Sequence, residues 1–380
     1  MRPVQTNSNL LMGARDRSSE VEEKSNAESL ATEGDLGTPA AREAVAKLYQ
    51  ELLPGERISR SQFLDLTAGD RVIKHVDLKT MIGLILGAWA LQQSNSILAT
   101  NHKSSAAFDY SHARSLMVDF EDTVGPEDGE SDIMRAAKLV SFAQAGVCGR
   151  HADRNFVLIG SMLHRLFDEQ PGLRDYLPHV ERMVDSTAGA RLGGAPTDDH
   201  AYVRIGNSII VDSWVLFPMV HLESEGKYEP DETHEGKAFY DVAVDKHQIP
   251  NDVEEKLNAV SRKSNRPQPE LSEQDYRGRE HWVTLVGTPI RTWQVVQSRR
   301  DDAPAAVYVC GDLQFDPDLM DASGLALRKT WHEKAAAALD VGQRSPIRGL
   351  SPLRRPEPEK LPSSHTASVP GGANPEPSAV

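Results

Sequence analysis

Apolar positions along this chain fall mostly at helical spacing, and in one short region they alternate. Ala41, Val45, Leu48 and Leu52 form the first helical stripe. Thr38 offers an N-cap hydroxyl, Pro39 stands where a first-turn amide lacks a partner anyway, and Pro54-Gly55 stops the helix. Residues 81–91 are almost continuously apolar and are bracketed by Lys79 and Gln92. A membrane span needs roughly twenty such residues, so this run predicts a buried core helix and no membrane span. Ser131-Asp132 caps a further helix carrying Ile133, Ala137, Val140 and Ala143, closed by Gly146. Another helix opens almost at once at Cys148. Its inner face is Ala152, Phe156, Ile159, Leu163 and Leu166, and Pro171-Gly172 ends it.

Residues 174–197 read as a short helix running into the loop Gly193-Gly194-Ala195-Pro196. Strand character begins at His200, where Ala201, Val203 and Ile205 alternate with His200, Tyr202 and Arg204. The run Ile209-Ile210-Val211 follows across a turn. Beyond a polar, acidic stretch at 223–235, residues 251–263 predict a helix, 281–286, 291–296 and 307–310 further strand pieces, and 322–339 an Ala-rich helix. The ends carry no periodic apolar set and are expected to be disordered. The organisation expected is a polar leader (1–37), a helical N-terminal region (38–130), a core of helices and strands (131–340) and a Pro/Ser-rich tail (341–380).

Composition narrows the function classes. With 39% hydrophobic and 6% aromatic residues, 380 residues suit one medium core with polar ends better than two full cores. A formal net charge of -14 argues against a nucleic-acid partner, which selects for a basic face. Cys148 and Cys310 are the only two cysteines, which excludes a disulfide framework and a cysteine-based zinc site. His221, His234 and His247 are too scattered for metal-ligand spacing, no Gly-rich phosphate loop is present, and Gly160-Ser161 lacks the second glycine of a serine elbow. No cofactor and no metal are expected. The first residues hold no apolar core of a secretory signal, and the arginines at 344, 348, 354 and 355 give the tail only a mildly basic character.

A thiol nucleophile is the remaining candidate. Cys148 falls in the first helical turn, where the helix dipole favours a thiolate, with Gly146 and Gly149 on either side and Arg150 beyond. His200 opens the alternating strand and would serve as base. Asp212 interrupts an apolar run before Ser213-Trp214; a carboxylate there is costly to bury unless paired, and an imidazole is a suitable partner. The turn discriminates. A two-residue Gly206-Asn207 turn would point Asp212 to the face away from His200. A three-residue Gly206-Asn207-Ser208 loop pairs Ile205 with Ile209 and puts Asp212 opposite Tyr202, on the face of His200. A Cys148–His200–Asp212 triad therefore requires the longer loop. The backbone N–H of Cys148 is the expected oxyanion donor, with Gln144 a further candidate. His151 is an alternative base, and Trp214 would shield the His–Asp bond or simply pack.

Gly146-Val147-Cys148, His200-Ala201-Tyr202 and Val211-Asp212 together resemble the nucleophile helix, His strand and Asp strand of the transglutaminase-like and papain-like superfamily. Asp212-Ser213-Trp214 is also similar to the papain-like Asn-Ser-Trp, and departs from the Asp-Pro pair usual in transglutaminases. This resemblance implies an α+β fold with the nucleophile helix packed on an antiparallel sheet, and protease, deamidase or transglutaminase-type acyl transfer. With the Ser/Asn-rich leader, the chain resembles the HopX/AvrPphE/XopE family of type III secreted effectors of plant pathogens. That implies a host protein as substrate, a secretion chaperone at the N-terminus, and action in host cytoplasm or nucleus. The alternative is a non-catalytic host-protein-binding effector on a decayed hydrolase scaffold.

Overall fold

The computed structural model describes residues 35–63, 71–99, 120–185, 200–215, 218–228, 238–263, 298–300, 302–324 and 326–327. Nearly all of the leader, the whole tail, the strand pieces at 281–286 and 291–296 and most of the helix at 322–339 lie outside them.

Helix α1 (Pro39–Leu52) starts where the Thr38 hydroxyl accepts the Ala41 N–H at 3.1 Å, and it buries Ala41, Val45, Leu48 and Leu52. Strands β1 (Arg57–Ser59) and β2 (Arg71–His75) follow. Helix α2 (Leu78–Gln93) is capped by Asp77, whose carboxylate accepts the Thr80 N–H at 2.7 Å. It is apolar nearly all round because protein surrounds it. Helix α3 (Asp132–Ala143) is capped by the Ser131 hydroxyl. It ends one turn earlier than Gly146: Gln144 takes the left-handed conformation, φ 52°, that closes it. The long α4 (Cys148–Glu169) comes next.

In 174–185, the described part of 174–197, a 3₁₀ stretch (Pro171–Tyr176) ends and a strand, β3 (Val180–Asp185), stands in place of the expected short helix; the loop Gly193-Gly194-Ala195-Pro196 lies outside the described residues. Glu181, Arg182 and Met183 are good helix formers, but strand neighbours on both sides override that preference. Alternation also supplies both charged residues with partners. Arg182 reaches Asp153 of α4 at 2.5 Å on one face, while Glu181 accepts from Arg204 at 2.7 Å on the other.

Strands β4 (His200–Ile205), β5 (Ile209–Val211), β6 (His221–Leu222) and β7 (Ala238–Tyr240) complete a five-stranded antiparallel sheet in the order β6-β5-β4-β3-β7. Helix α5 (Val253–Lys263) packs on α3. Strands β8 (Ala305–Cys310), β9 (Leu313–Phe315) and β10 (Leu319–Asp321) close the described chain. A second sheet has the order β9-β8-β2, with β8 parallel to β2, and β10 pairs antiparallel with β1. The class is α+β.

One apolar cluster runs from Ala41 through α2, α4 and the larger sheet to Phe315, so the regions on either side of residue 130 share a core. Helix α4 lies across β3 and β4, and α2 across β5. Gly83 and Gly87 let α2 come this close. A Cβ on Gly83 would stand 2.5 Å from Ile209 Cδ1, and one on Gly87 2.8 Å from Val211 Cγ2. The opposite face of β4 and β5 carries a smaller cluster of Met183, Tyr202, Ile210, Val215 and Tyr228. Among the described residues, no helix is long and apolar enough to cross a membrane.

Candidate active site

Cys148 is the first residue of α4 and is half-buried. The segment before it, Ala145–Gly146, pairs in parallel with Leu98–Ala99, and Val147 is extended (φ -80°, ψ 170°) with no side-chain cap. A first-turn amide has no carbonyl one turn back to bond, so the N–H groups beside the sulfur keep their donor capacity. The helix dipole adds partial positive charge at the same point.

The hairpin sets the other two groups. Ile205 pairs with Ile209, Arg204 with Ile210 and Val203 with Val211. Gly206 (φ 58°) and Asn207 (φ 68°) are both left-handed, which suits Gly and Asn, and Ser208 is the extra residue. Its carbonyl accepts the Glu223 N–H at 2.6 Å, tying the loop to the chain after β6. Continued by one step, this register places Asp212 opposite Tyr202. It is the three-residue loop, and Asp212 shares the face of His200.

His200 Nε2 lies 2.8 Å from Asp212 Oδ2, and both residues are 2% exposed. With Nε2 so engaged, Nδ1 is the ring nitrogen left for the thiol, and the His200 side chain is hydrogen-bonded to Cys148. The Ala201 backbone N–H also donates to the sulfur. Asp212 has further donors: the Trp214 N–H to Oδ1 at 3.0 Å and the Tyr228 hydroxyl to Oδ2. The Trp214 ring is 5.2 Å from that of His200, and the Tyr228 ring lies nearly parallel to it at 6.0 Å and stacks on Tyr202 at 4.4 Å. The imidazole is thus walled by aromatic rings on several sides.

Charge follows from this geometry. Burial alone would raise the Cys148 thiol, but the His200 hydrogen bond and charge, with the Ala201 N–H, bring it below its ordinary value. Burial alone would lower His200, but Asp212 and the sulfur outweigh it and raise the imidazole to about 10. Burial likewise opposes ionisation of Asp212, and His200, Tyr228 and the Trp214 N–H reverse that, leaving the carboxyl below its usual range. Both shifts act toward a thiolate beside an imidazolium, held by a carboxylate.

No protein-family model, no curated protein and no solved structure matches this chain. The site rests on its own geometry.

Of the residues singled out in the sequence, Cys148, His200 and Asp212 come together, with Trp214 against the imidazole. Gln144 does not join them. Its amide donates to the Ser141 carbonyl at 2.6 Å and to the Ser261 hydroxyl at 2.8 Å, on the α3–α5 side. His151 is buried one turn along α4, with Nδ1 2.9 Å from the Ser213 hydroxyl, and Asn155 donates to the same hydroxyl at 2.9 Å. These bonds position Ser213, and with it the backbone that presents Asp212. Tyr228 escaped sequence reasoning because it lies inside a polar, acidic stretch with no periodicity. Ala201 escaped because its contribution is a backbone amide. Among the described residues, no cluster of His, Cys, Asp and Glu could hold a metal ion.

Proposed function

We propose that this protein is a cysteine hydrolase or acyltransferase acting on amide bonds of proteins, built on a transglutaminase-like or papain-like core. The observation that carries the reading is the buried relay in which Asp212 holds His200 and His200 bonds the Cys148 sulfur at a helix N-terminus. The thiolate attacks the carbonyl carbon, and the developing oxyanion is met by the Cys148 backbone N–H. Imidazolium then gives its proton to the leaving amine as the C–N bond breaks, leaving a thioester and neutral His200. Neutral His200 next takes a proton from the acceptor, which attacks the thioester and restores the thiolate. Water as acceptor gives proteolysis or deamidation; an amine gives cross-linking. The resemblance to the plant-pathogen effector family supports a host protein as substrate, type III delivery, and a site of action in host cytoplasm or nucleus.

Iodoacetamide labelling at mildly acidic pH, followed by incubation with host extract and mass spectrometry, tests the proposal. The expected result is fast alkylation of Cys148 and host peptides that are cleaved, one dalton heavier, or joined by an isopeptide, all absent with Cys148→Ala or His200→Ala. Alkylation at the rate of an ordinary thiol, with unchanged extract, leaves a non-catalytic binding protein on the same scaffold.

A further inference from the structure

A second polar site lies on a different face of α4 from the thiol. A cavity of about 340 Å³ is lined by side chains of α2, α3, α4 and α5 and by the segment after β10, with Cys148, His200 and Asp212 outside it. Arg154 of α4 is its central charge. The residue is 5% exposed, and its guanidinium is held by uncharged groups: Nε donates to the Ser141 hydroxyl at 3.1 Å and Nη1 to the Ser94 hydroxyl at 2.8 Å. Burial pulls its pKa down to about 10, and the charge of Glu254 acts on it only through space. Among the described residues, no carboxylate forms an ion pair with it. A buried guanidinium with no ion-pair partner loses hydration that two neutral hydroxyls only partly return.

Asn95 supplies an independent sign of a missing occupant. It lines the same cavity and is 3% exposed, yet its side-chain amide makes no hydrogen bond to the protein, and its oxygen is a buried acceptor without a donor. Native interiors seldom leave such a group unpaired. Arg154 and Asn95 line the same space, and a single molecule there would meet Arg154 directly and Asn95 after a turn of its buried amide. Its anionic end would meet the free side of Arg154, and a hydroxyl or amide would meet Asn95. Asp321 also lines the cavity, with Oδ2 occupied by the Gly324 N–H at 2.6 Å. A second negative charge on the ligand would be repelled there, which selects against polyanions.

We infer that this cavity is a binding site for a small, singly anionic molecule bearing a carboxylate or a monoanionic phosphate together with hydroxyl or amide groups. Arg154 is the anion receptor and Asn95 the polar partner. The site stands apart from the proposed chemistry at Cys148, so binding there and turnover are measured separately.

The test is calorimetric titration of the full chain at mildly acidic pH with acetate and, in a second arm, with inorganic phosphate, there mostly the monoanion, which separates the two anion chemistries. Saturable binding of at least one is expected. Arg154→Gln should weaken it roughly tenfold or more, as loss of a charge-assisted contact does. Asn95→Leu, which fills the cavity without touching the cation, should do the same if Arg154→Gln does not fold. Asp321→Asn keeps the bond to Gly324 and should tighten phosphate binding. Absence of saturable binding by both anions, or affinities indifferent to all of these substitutions, overturns the assignment.

Discussion

Asp212 Oδ2 sits 2.8 Å from His200 Nε2 and also accepts the Tyr228 hydroxyl, so one carboxylate oxygen is shared by the imidazole and a phenol. The carboxylate therefore does two things: it fixes the ring's orientation and it favours the protonated form of His200 beside Cys148. Asp212→Asn preserves size and most hydrogen bonds but removes the charge. Turnover is expected to fall on the order of 10²–10⁴-fold. The thiol should titrate closer to an ordinary cysteine, read by alkylation rate against pH. A variant retaining the wild-type alkylation profile would show that the carboxylate does not govern the thiol.

Tyr228→Phe isolates the phenol. The ring stack on Tyr202 survives, and the hydroxyl's bonds to Asp212 and Ser298 are lost. A hydrogen bond to a buried charge is worth about 1.5–3 kcal/mol, so the urea midpoint should fall accordingly. Because the bond helps keep Asp212 ionised, alkylation of Cys148 at mildly acidic pH should slow by up to roughly tenfold. Unchanged values of both would remove Tyr228 from the relay.

The coupled charges predict a particular pH dependence of stability. His200, raised on folding, contributes stability that is full below about pH 6.5 and lost as pH rises through its folded value. Cys148, lowered on folding, contributes stability that is present above about pH 8.5 and lost as pH falls through its folded value. Across neutral pH the two slopes oppose each other, so the wild-type profile should be flat there. Cys148→Ala deletes one of them, and the variant's stability should decline steadily as pH rises from about 6.5. Urea unfolding at a series of pH values measures both. Parallel profiles would show that sulfur and imidazole do not share their charge.

Hairpin parity is open to a direct experiment. Deleting Ser208 leaves Gly206-Asn207 as a two-residue turn that still pairs Ile205 with Ile209 and keeps Asp212 on the face of His200. Cys148 reactivity at mildly acidic pH should therefore be retained. The reactivity of a free thiol in a folded deletion variant would contradict the register.

Gly87 offers a test of the packing behind the site. A side chain there meets Val211 and Val220 within 3.0 Å. Gly87→Leu should cost about 1–3 kcal/mol from overpacking, more than the gain of roughly 0.8–1.0 kcal/mol in helix propensity. A chemical-denaturation midpoint at or above wild type would mean that α2 can lift from β5 freely.

What could be read from the sequence, and what could not, follows from which forces are local. Thr38-Pro39 and Ser131 mark their helices because capping is a property of neighbouring residues. The long loop at Gly206–Ser208 could be deduced because strand parity is rigid arithmetic. By contrast, residues 180–185 carry helix-forming side chains, and only the flanking strands make them extended. Gln144 faces α5 because α3 ends left-handed at that residue, a backbone event that its upstream position in the sequence did not disclose. Tyr228 reaches Asp212 across sixteen positions, with no periodicity to announce it.

Glu225, three positions before Tyr228, gathers Lys74 at 2.5 Å from β2, the Tyr308 hydroxyl at 2.5 Å from β8, and Arg299 at 3.8 Å. The turn that delivers the phenol is consequently anchored to strands that lie far apart in the polypeptide. During synthesis, all the reacting groups will have left the ribosome well before Arg299 and Tyr308 are added. The emerging chain should thus hold His200 and Asp212 early and gain a firmly seated Tyr228 only once β8 has been made, so the last partner of the carboxylate is also the last to be fixed.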